Sequence, residues 1–286
     1  MEERKIGTAK FIFLFIILFI IGIVLWSRFI STKGIKVNEV PLFNQNIPID
    51  MDGLKIVHFS DLLYGRTVNK KDVTTLVKKI NNLKPDIVIF TGDLIDKDTV
   101  IKESLTSFLT EELKKIDAKV AKYAIWGDYD YNTTDYEILL KNAEFKVLKN
   151  SSDLIYYNAA TPIYIAGLDS SLKGNFDPNT TFVNLQENSY KDLYKIALIH
   201  EPDNFDKIKE QNLDLVLSGH SLLGQIRLPF IGAFKGKNGS LKYIDDHYTN
   251  NLTNMYVNGG LGTTNYSFRF FNKPTINFYR LYAKEV

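Results

Sequence analysis

Five short apolar runs in this chain each end in a side chain able to ligate a metal ion, and that repetition limits what the chain can fold into. The runs are Ile56-Val57-His58-Phe59-Ser60-Asp61, Ile87-Val88-Ile89-Phe90-Thr91-Gly92-Asp93, Ala124-Ile125-Trp126-Gly127-Asp128, Ile196-Ala197-Leu198-Ile199-His200 and Leu215-Val216-Leu217-Ser218-Gly219-His220. Each reads as a short strand. In open α/β sheets, ligands bind beyond the carboxyl ends of the strands. Asp61, Asp93, Asp128, His200 and His220 are therefore expected to converge there. Three carboxylates and two imidazoles make a hard-to-borderline divalent site, suited to Mn, Fe or Zn. An Asp after Gly is ordinary in a turn, so one such case would mean little. Five in succession do not reduce to turn chemistry, and two of the chain's four histidines fall in the set.

Between these runs lie helical patterns. Asn69 to Leu83 carries Val73, Leu76, Val77, Ile80 and Leu83 at helical spacing, with Asn69 as N-cap and Pro85 as the stop. Strand, helix and strand in succession imply a right-handed parallel crossover. Further helices are expected over 102–116, 135–143 and 204–211. Strands are expected over 195–199, 214–218, 225–228, 255–258 and 276–281. Alternation first and strands later point to two packed mixed sheets with helices outside. The 286 residues suffice for one large α/β domain after an N-terminal segment.

Charge and cysteine usage narrow the function classes. Six of the 35 Lys/Arg and two of the 33 Asp/Glu lie in residues 1–36, leaving 29 basic against 31 acidic residues in the remainder. Such a nearly neutral domain lacks the concentrated basic face that nucleic acid requires. With no cysteine, disulfides, thiolate metal sites and a thiol nucleophile are excluded.

Phe11 to Trp26 is an unbroken apolar run of sixteen residues, extended by Ala9 and by Ser27 to Ile30. A spanning helix needs about 20 residues, and Lys10 and Arg28 can snorkel at the ends. No small-x-small cleavage site is evident, so residues 1–30 read as an uncleaved, single-pass signal anchor in the cell membrane. Three Lys/Arg on each side leave the orientation unspecified by charge. Residues 31–53 read as an extended lead-in and residues 54–286 as the domain.

The motif order resembles the calcineurin-like metallophosphoesterase family, and in particular its small membrane-anchored bacterial branch. That family's D-x-H, G-D, G-N-H-D, H-E-P and G-H-x-H motifs correspond to Asp61-Leu62-Leu63, Gly92-Asp93, Gly127-Asp128-Tyr129-Asp130, His200-Glu201-Pro202 and Gly219-His220-Ser221-Leu222. Lys84-Pro85-Asp86, Gly224-Gln225-Ile226-Arg227-Leu228-Pro229 and Asn258-Gly259-Gly260-Leu261-Gly262 add to the likeness, which covers Leu54 to the C-terminus. The resemblance implies a four-layer αββα sandwich and a domain outside the cell membrane.

Residue by residue, the resemblance assigns one metal to the positions of Asp61, Leu63, Asp93 and Leu222. Leucines stand at two of these, and leucine has no lone pair to donate. The second metal falls to Asp93, Asp128, His200 and His220, a complete set of four N/O donors. Tyr129 stands where the family has its catalytic histidine. Tyr has a pKa near 10 and carries no positive charge at neutral pH. Losing an ion and a charged acid together removes large parts of two-metal phosphoester chemistry. The expectation is a membrane-anchored, catalytically impaired or inactive homologue with a binding or scaffold role, holding one divalent ion or none, with a protein partner. The alternative is a one-metal phosphohydrolase acting on a cell-envelope phosphoester. His58 is expected as a packed core residue and His247 as a solvated turn residue. Arg66 and Arg227 are expected either at a phosphate or in surface ion pairs.

Overall fold

The computed structural model describes residues 2–284. Numbered along the chain, β1 (Lys36–Asn44), β14 (Thr275–Ala283), β2 (Lys55–Phe59), β3 (Ile87–Phe90), β4 (Ala121–Ala124) and β5 (Lys146–Val147) lie side by side in one six-stranded sheet. A second sheet has the order β12 (His247–Asn250), β13 (Thr253–Val257), β9 (Leu215–Ser218), β8 (Lys195–Leu198), β7 (Ile163–Gly167) and β6 (Ser151–Ile155). Both are mixed: β2, β3, β4 and β5 run parallel while β14 is antiparallel to β2, and β7, β8, β9 and β13 run parallel between antiparallel partners. A short ribbon, β10 (Arg227–Leu228) with β11 (Gly232–Ala233), stands apart.

The alternation of side chains along these strands builds three apolar layers. Ile56, Ile87 and Ile89 face Ile196, Leu198, Leu215 and Leu217 in the space between the sheets. Val57, Phe59, Val88 and Phe90 point the other way, against α2 (Lys70–Asn82), α3 (Glu103–Lys114) and α4 (Tyr136–Asn142). On the far side, Tyr164, Ala197 and Val216 pack under α5 (Pro178–Thr181) and α6 (Phe205–Ile208). Both faces of the central strands are thus covered, which is why their sequences are continuously apolar. The result is the expected αββα sandwich.

Helix α2 forms where the pattern predicts. Asn69 accepts from the N–H groups of Lys71 and Asp72, and Asp72 accepts from the Asn69 N–H, a reciprocal cap. Val73, Leu76, Val77 and Ile80 are its buried stripe. The helix expected over 204–211 is shorter: a 3-10 turn at Pro202–Asn204 leads into α6, which stops at Ile208. The segment 31–53 differs most from expectation. Rather than only leading into the domain, its residues Lys36–Asn44 form β1, paired in parallel with β14 along their whole length. Pro41 is tolerated because β1 is an edge strand, and Met51 and Leu54 bury between the sheets.

Ahead of the domain, α1 (Glu2–Phe29) contains a 20-residue stretch, Lys10–Phe29, of mean hydropathy 2.7. It is long and apolar enough to cross a membrane, and its side chains are exposed almost throughout. Its end touches the domain. The Trp26 ring packs against Phe270 and Phe271, with centroids 6.1 and 6.0 Å away, and the Arg269 N–H donates to the Ser27 carbonyl at 3.1 Å.

His58 is a core residue, as expected. It is fully buried, its Nε2 lies 2.9 Å from the Thr91 hydroxyl, and its ring stacks on Tyr279. Burial pushes its pKa down to about 3. The native ring is therefore neutral, and below the ordinary value of 6.5 the unfolded chain takes up a proton that the folded one refuses. Stability should fall with pH through the window from 6.5 towards about 3, by up to roughly 1.4 kcal/mol per pH unit from this group. His58→Leu should flatten that dependence. Urea denaturation of both proteins at about pH 7 and about pH 5 measures the difference in slope.

Candidate metal centre

The carboxyl ends of β2, β3 and β4 in one sheet and of β8 and β9 in the other open on the same rim of the sandwich, so each strand delivers its terminal residue to a common point. Asp93, Asp128, His200 and His220 each bring a donor atom within 4.8 Å of the others. His200 Nε2 is 3.3 Å from Asp93 Oδ2 and 3.4 Å from Asp128 Oδ1, and His220 Nδ1 is 3.1 Å from Asp128 Oδ1. The two imidazole nitrogens are 3.3 Å apart. All four residues are buried.

Backbone carbonyls decide which ring nitrogen faces inward. His200 Nδ1 is 2.6 Å from the Thr91 carbonyl, and His220 Nε2 is 2.7 Å from the Asn238 carbonyl. A carbonyl only accepts, so both outer nitrogens carry the proton. The inner nitrogens, in the neutral rings, present lone pairs. This is how outer partners orient metal-binding histidines. Asp93 Oδ2 and Asp128 Oδ1 are buried without a hydrogen-bond partner among the described residues. Four acceptors therefore face one point with no donor between them. Such a cluster fits a cation, and its N/O chemistry fits a borderline divalent ion.

Protons feel the same field. Burial lowers the pKa of His200, but the carboxylates of Asp93 and Asp128 outweigh it and hold the imidazole well above its ordinary range. Burial raises Asp93, reinforced by the charges of Asp128 and Asp61 and opposed by His200. Asp128 shifts the other way: burial works to raise it, yet the imidazoles of His200 and His220, once protonated, hold it low. A metal ion held there would compete with a proton for the inner face of His200, and its affinity would rise with pH.

The turns that carry these groups are left-handed. Asp61, Asp93 and His220 have φ of 49°, 62° and 63°. Gly127 is required by close approach: a Cβ there would lie 2.3 Å from Asp93 Oδ1 and 2.8 Å from His200 Cε1. Leu63 and Leu222 adopt the same left-handed conformation, with φ of 47° and 51°, and both are buried. A leucine gains no local hydrogen bond there, and the conformation costs on the order of 1 kcal/mol or more.

Asp61 lies next to the four-donor cluster but outside it. Its Oδ2 accepts from the His220 N–H at 2.9 Å, tying the two sheets together, and its Oδ1 is buried and unpartnered. Fully buried Arg269 faces it. Burial lowers that guanidinium to about 10 while the charge of Asp61 opposes the shift. Tyr129 adjoins the cluster, its N–H donating to Asp93 Oδ1 at 2.9 Å. Burial and the charges of Asp93 and Asp128 raise its phenol, so the hydroxyl stays a donor at neutral pH.

Two groups have roles that the residue order does not give, although Asp130 continues the Gly127-Asp128-Tyr129 turn and is expected to shape the rim. Asp130 is fully buried and accepts from the N–H groups of Asp93, Leu94 and Gly127, each at 2.8 Å. It locks the turn after β3 to the turn after β4. Glu201 is buried and accepts from Ser170, from the Ser171 N–H and from Asn204. Three other candidates lie elsewhere. Arg66 pairs with Asp96 and Asp98, and Arg227 with Asp245. His247 is exposed on β12, stacked on Tyr256 and bonded to Asn254.

Residues 54–223 match the calcineurin-like phosphoesterase family, and the chain belongs to that family. It is 33% identical, over 90% of its length, to an uncharacterized metallophosphoesterase of Bacillus subtilis, YkuE, of which it covers 88%. It is 25% identical, over 88% of its length, to the UDP-2,3-diacylglucosamine pyrophosphatase LpxG of Chlamydia muridarum, covering 91% of that protein. Among solved structures, the calcineurin-like phosphoesterase YfkN from Bacillus subtilis superposes with a TM-score of 0.47 at 12% identity, over 73% of this chain and 82% of that one.

Asp130→Ala should leave three buried N–H groups unpaired at about 1–3 kcal/mol each. A loss of at least about 3 kcal/mol is expected, read as a lowered denaturation midpoint. Asp130→Asn, which keeps an acceptor oxygen, should lose less.

Proposed function

We propose that this chain is a membrane-anchored phosphoesterase-fold protein that holds one divalent ion, Mn, Fe or Zn, at Asp93, Asp128, His200 and His220, and binds a phosphoester there with two-metal hydrolysis lost. The observation that carries the reading is the contrast between two halves of one rim. On one half, four buried acceptors converge with nothing between them. On the other, Leu63 and Leu222 fill the positions where the family has imidazoles, and only Asp61 remains beside the shared Asp93.

When bound, the ion supplies Lewis acidity to a phosphoryl oxygen and acidifies a coordinated water. The chain's own groups do the rest. Asp93 and Asp128 neutralise the ion, and the Thr91 and Asn238 carbonyls hold both histidines in the ligating tautomer. Tyr129 donates a hydrogen bond where the family has an imidazolium. A phenol raised by burial is a poor proton donor to a leaving oxygen. Binding thus outlasts turnover, in keeping with a scaffold role towards a protein partner. Helix α1 supports the membrane anchoring in this reading, and the resemblance supports a single-pass arrangement with the domain outside the cell membrane.

A second reading is a one-metal phosphohydrolase acting on a cell-envelope phosphoester. The complete four-donor set of Asp93, Asp128, His200 and His220 favours it. So does the printed activity of the relative from Chlamydia muridarum, a pyrophosphatase on a diacylated sugar nucleotide.

Elemental analysis of the full chain in detergent should find one ion per chain, abolished in Asp93→Ala. Hydrolysis of bis(4-nitrophenyl) phosphate with added Mn should stay near background. A rate well above background that disappears in Asp93→Ala would favour the second reading. An ion-free protein after Mn, Fe and Zn loading would rule out both.

A further inference from the structure

We propose that Lys97 and Lys237, together with the Tyr129 hydroxyl, form an anion site that receives the phosphate group of the ligand beside the single ion, so that two ammonium groups do the electrostatic work of the missing second metal. The proposal rests on the single-ion reading above and adds residues outside the motifs matched in this chain.

Tyr129 is the pivot. Lys97 Nζ lies 5.7 Å from the centre of its ring and Lys237 Nζ 5.8 Å. Both are within the range at which an aromatic ring holds a cation. Among the described residues, neither ammonium forms a hydrogen bond or an ion pair. The Lys237 Nζ is moreover buried. A buried ammonium without an acceptor is unfavourable, and an incoming oxyanion removes the penalty.

The position of Lys237 follows from the metal cluster itself. The carbonyl of its neighbour Asn238 accepts from His220 Nε2, so the turn is fastened to a candidate ligand. Gly239 has φ of 89°, and a Cβ there would lie 3.1 Å from His220 Nε2. Only glycine lets the turn approach so closely. The Ser240 N–H closes the turn on the Lys237 carbonyl at 2.8 Å. From the other side, Lys97 and Tyr129 line a cavity of about 220 Å³ together with Thr99, Asn132 and Asp96, whose carboxylate is paired with Arg66. That polar space suits the alcohol portion of a phosphoester.

The cluster's own cations are already committed. One divalent ion offsets Asp93 and Asp128. Arg269 offsets Asp61, and its N–H groups are already committed to the carbonyls of Gly259, Gly262 and Asn272. Neither cation is then spare for a ligand, and the buried carboxylates of Asp130 and Glu201 lie close by. A phosphate dianion calls for further positive charge beside the ion, and charge-assisted contacts are the strong ones. Lys97 and Lys237 provide it.

The test uses the full chain in detergent, loaded with Mn, and inorganic phosphate as the probe in a calorimetric titration. Lys97→Gln and Lys237→Gln should each weaken phosphate binding by about tenfold or more, and the double variant by more than either. The Mn content should be unchanged in all three, and Lys237→Arg should keep most of the affinity. Unchanged phosphate affinity in the double variant overturns the proposal, as does Mn-loaded protein that binds no phosphate. If the chain takes up no Mn, the single-ion reading fails separately, and the same titrations on metal-free protein still decide whether the lysines hold phosphate. Glycerol 3-phosphate as a second probe separates ester from free phosphate. Tighter binding than inorganic phosphate supports the cavity's role, and weaker binding overturns the phosphoester assignment.

Discussion

A concentration of buried negative charge, and lone pairs with no donor opposite them, lies at the rim where the two sheets meet. Asp61, Asp93 and Asp128 come from three parallel strands of one sheet, and His200 and His220 from two parallel strands of the other. An uncompensated buried charge costs several kcal/mol, so the surrounding backbone is organised to hold it. Asp130 accepts three N–H groups to fix two turns, Asp61 accepts the His220 N–H across the sheets, and two carbonyls orient the imidazoles. The apolar layers on either side exist in the same register because the strands that end at the rim are covered on both faces.

The rim is chemically lopsided. Its backbone keeps left-handed turns at Leu63 and Leu222 as it does at Asp61, Asp93 and His220. The side chains, however, are apolar on one half and offer donor atoms on the other. Leu222 packs against the glycine-rich loop at Gly260, where an added Cβ would lie 2.2 Å from its Cδ2. That half is filled rather than open, and Arg269 supplies the local positive charge facing Asp61.

The apolar helix and the site share a segment. Arg269 bonds through its backbone to the end of α1 and through its side chain to the carbonyls of Gly259 and Gly262. The next residues, Phe270 and Phe271, pack on Trp26. The loop that walls the apolar half of the rim thus also seats the helix, so the domain leaves the helix at a defined edge. Residues 36–44 then join the first sheet directly, beside β14.

Much of this was readable from the chain alone. Short apolar runs ending in Asp or His, separated by amphipathic stretches, require parallel strands whose ends meet. The four-donor cluster follows from those strand ends, and the Asn69 cap and its apolar stripe follow from local spacing. Local pattern could not reveal that 36–44 is a strand, because its partner β14 lies at the other end of the chain and an edge strand needs no apolar alternation. Nor could it reveal Asp130 as a lock, Arg269 as the counter-charge of Asp61, or Lys237 beside Tyr129. Each of these roles is a contact between segments far apart in sequence, and its sign and strength come from burial and distance. Residue order determined which ligands the rim could hold; only packing decided which charges face them.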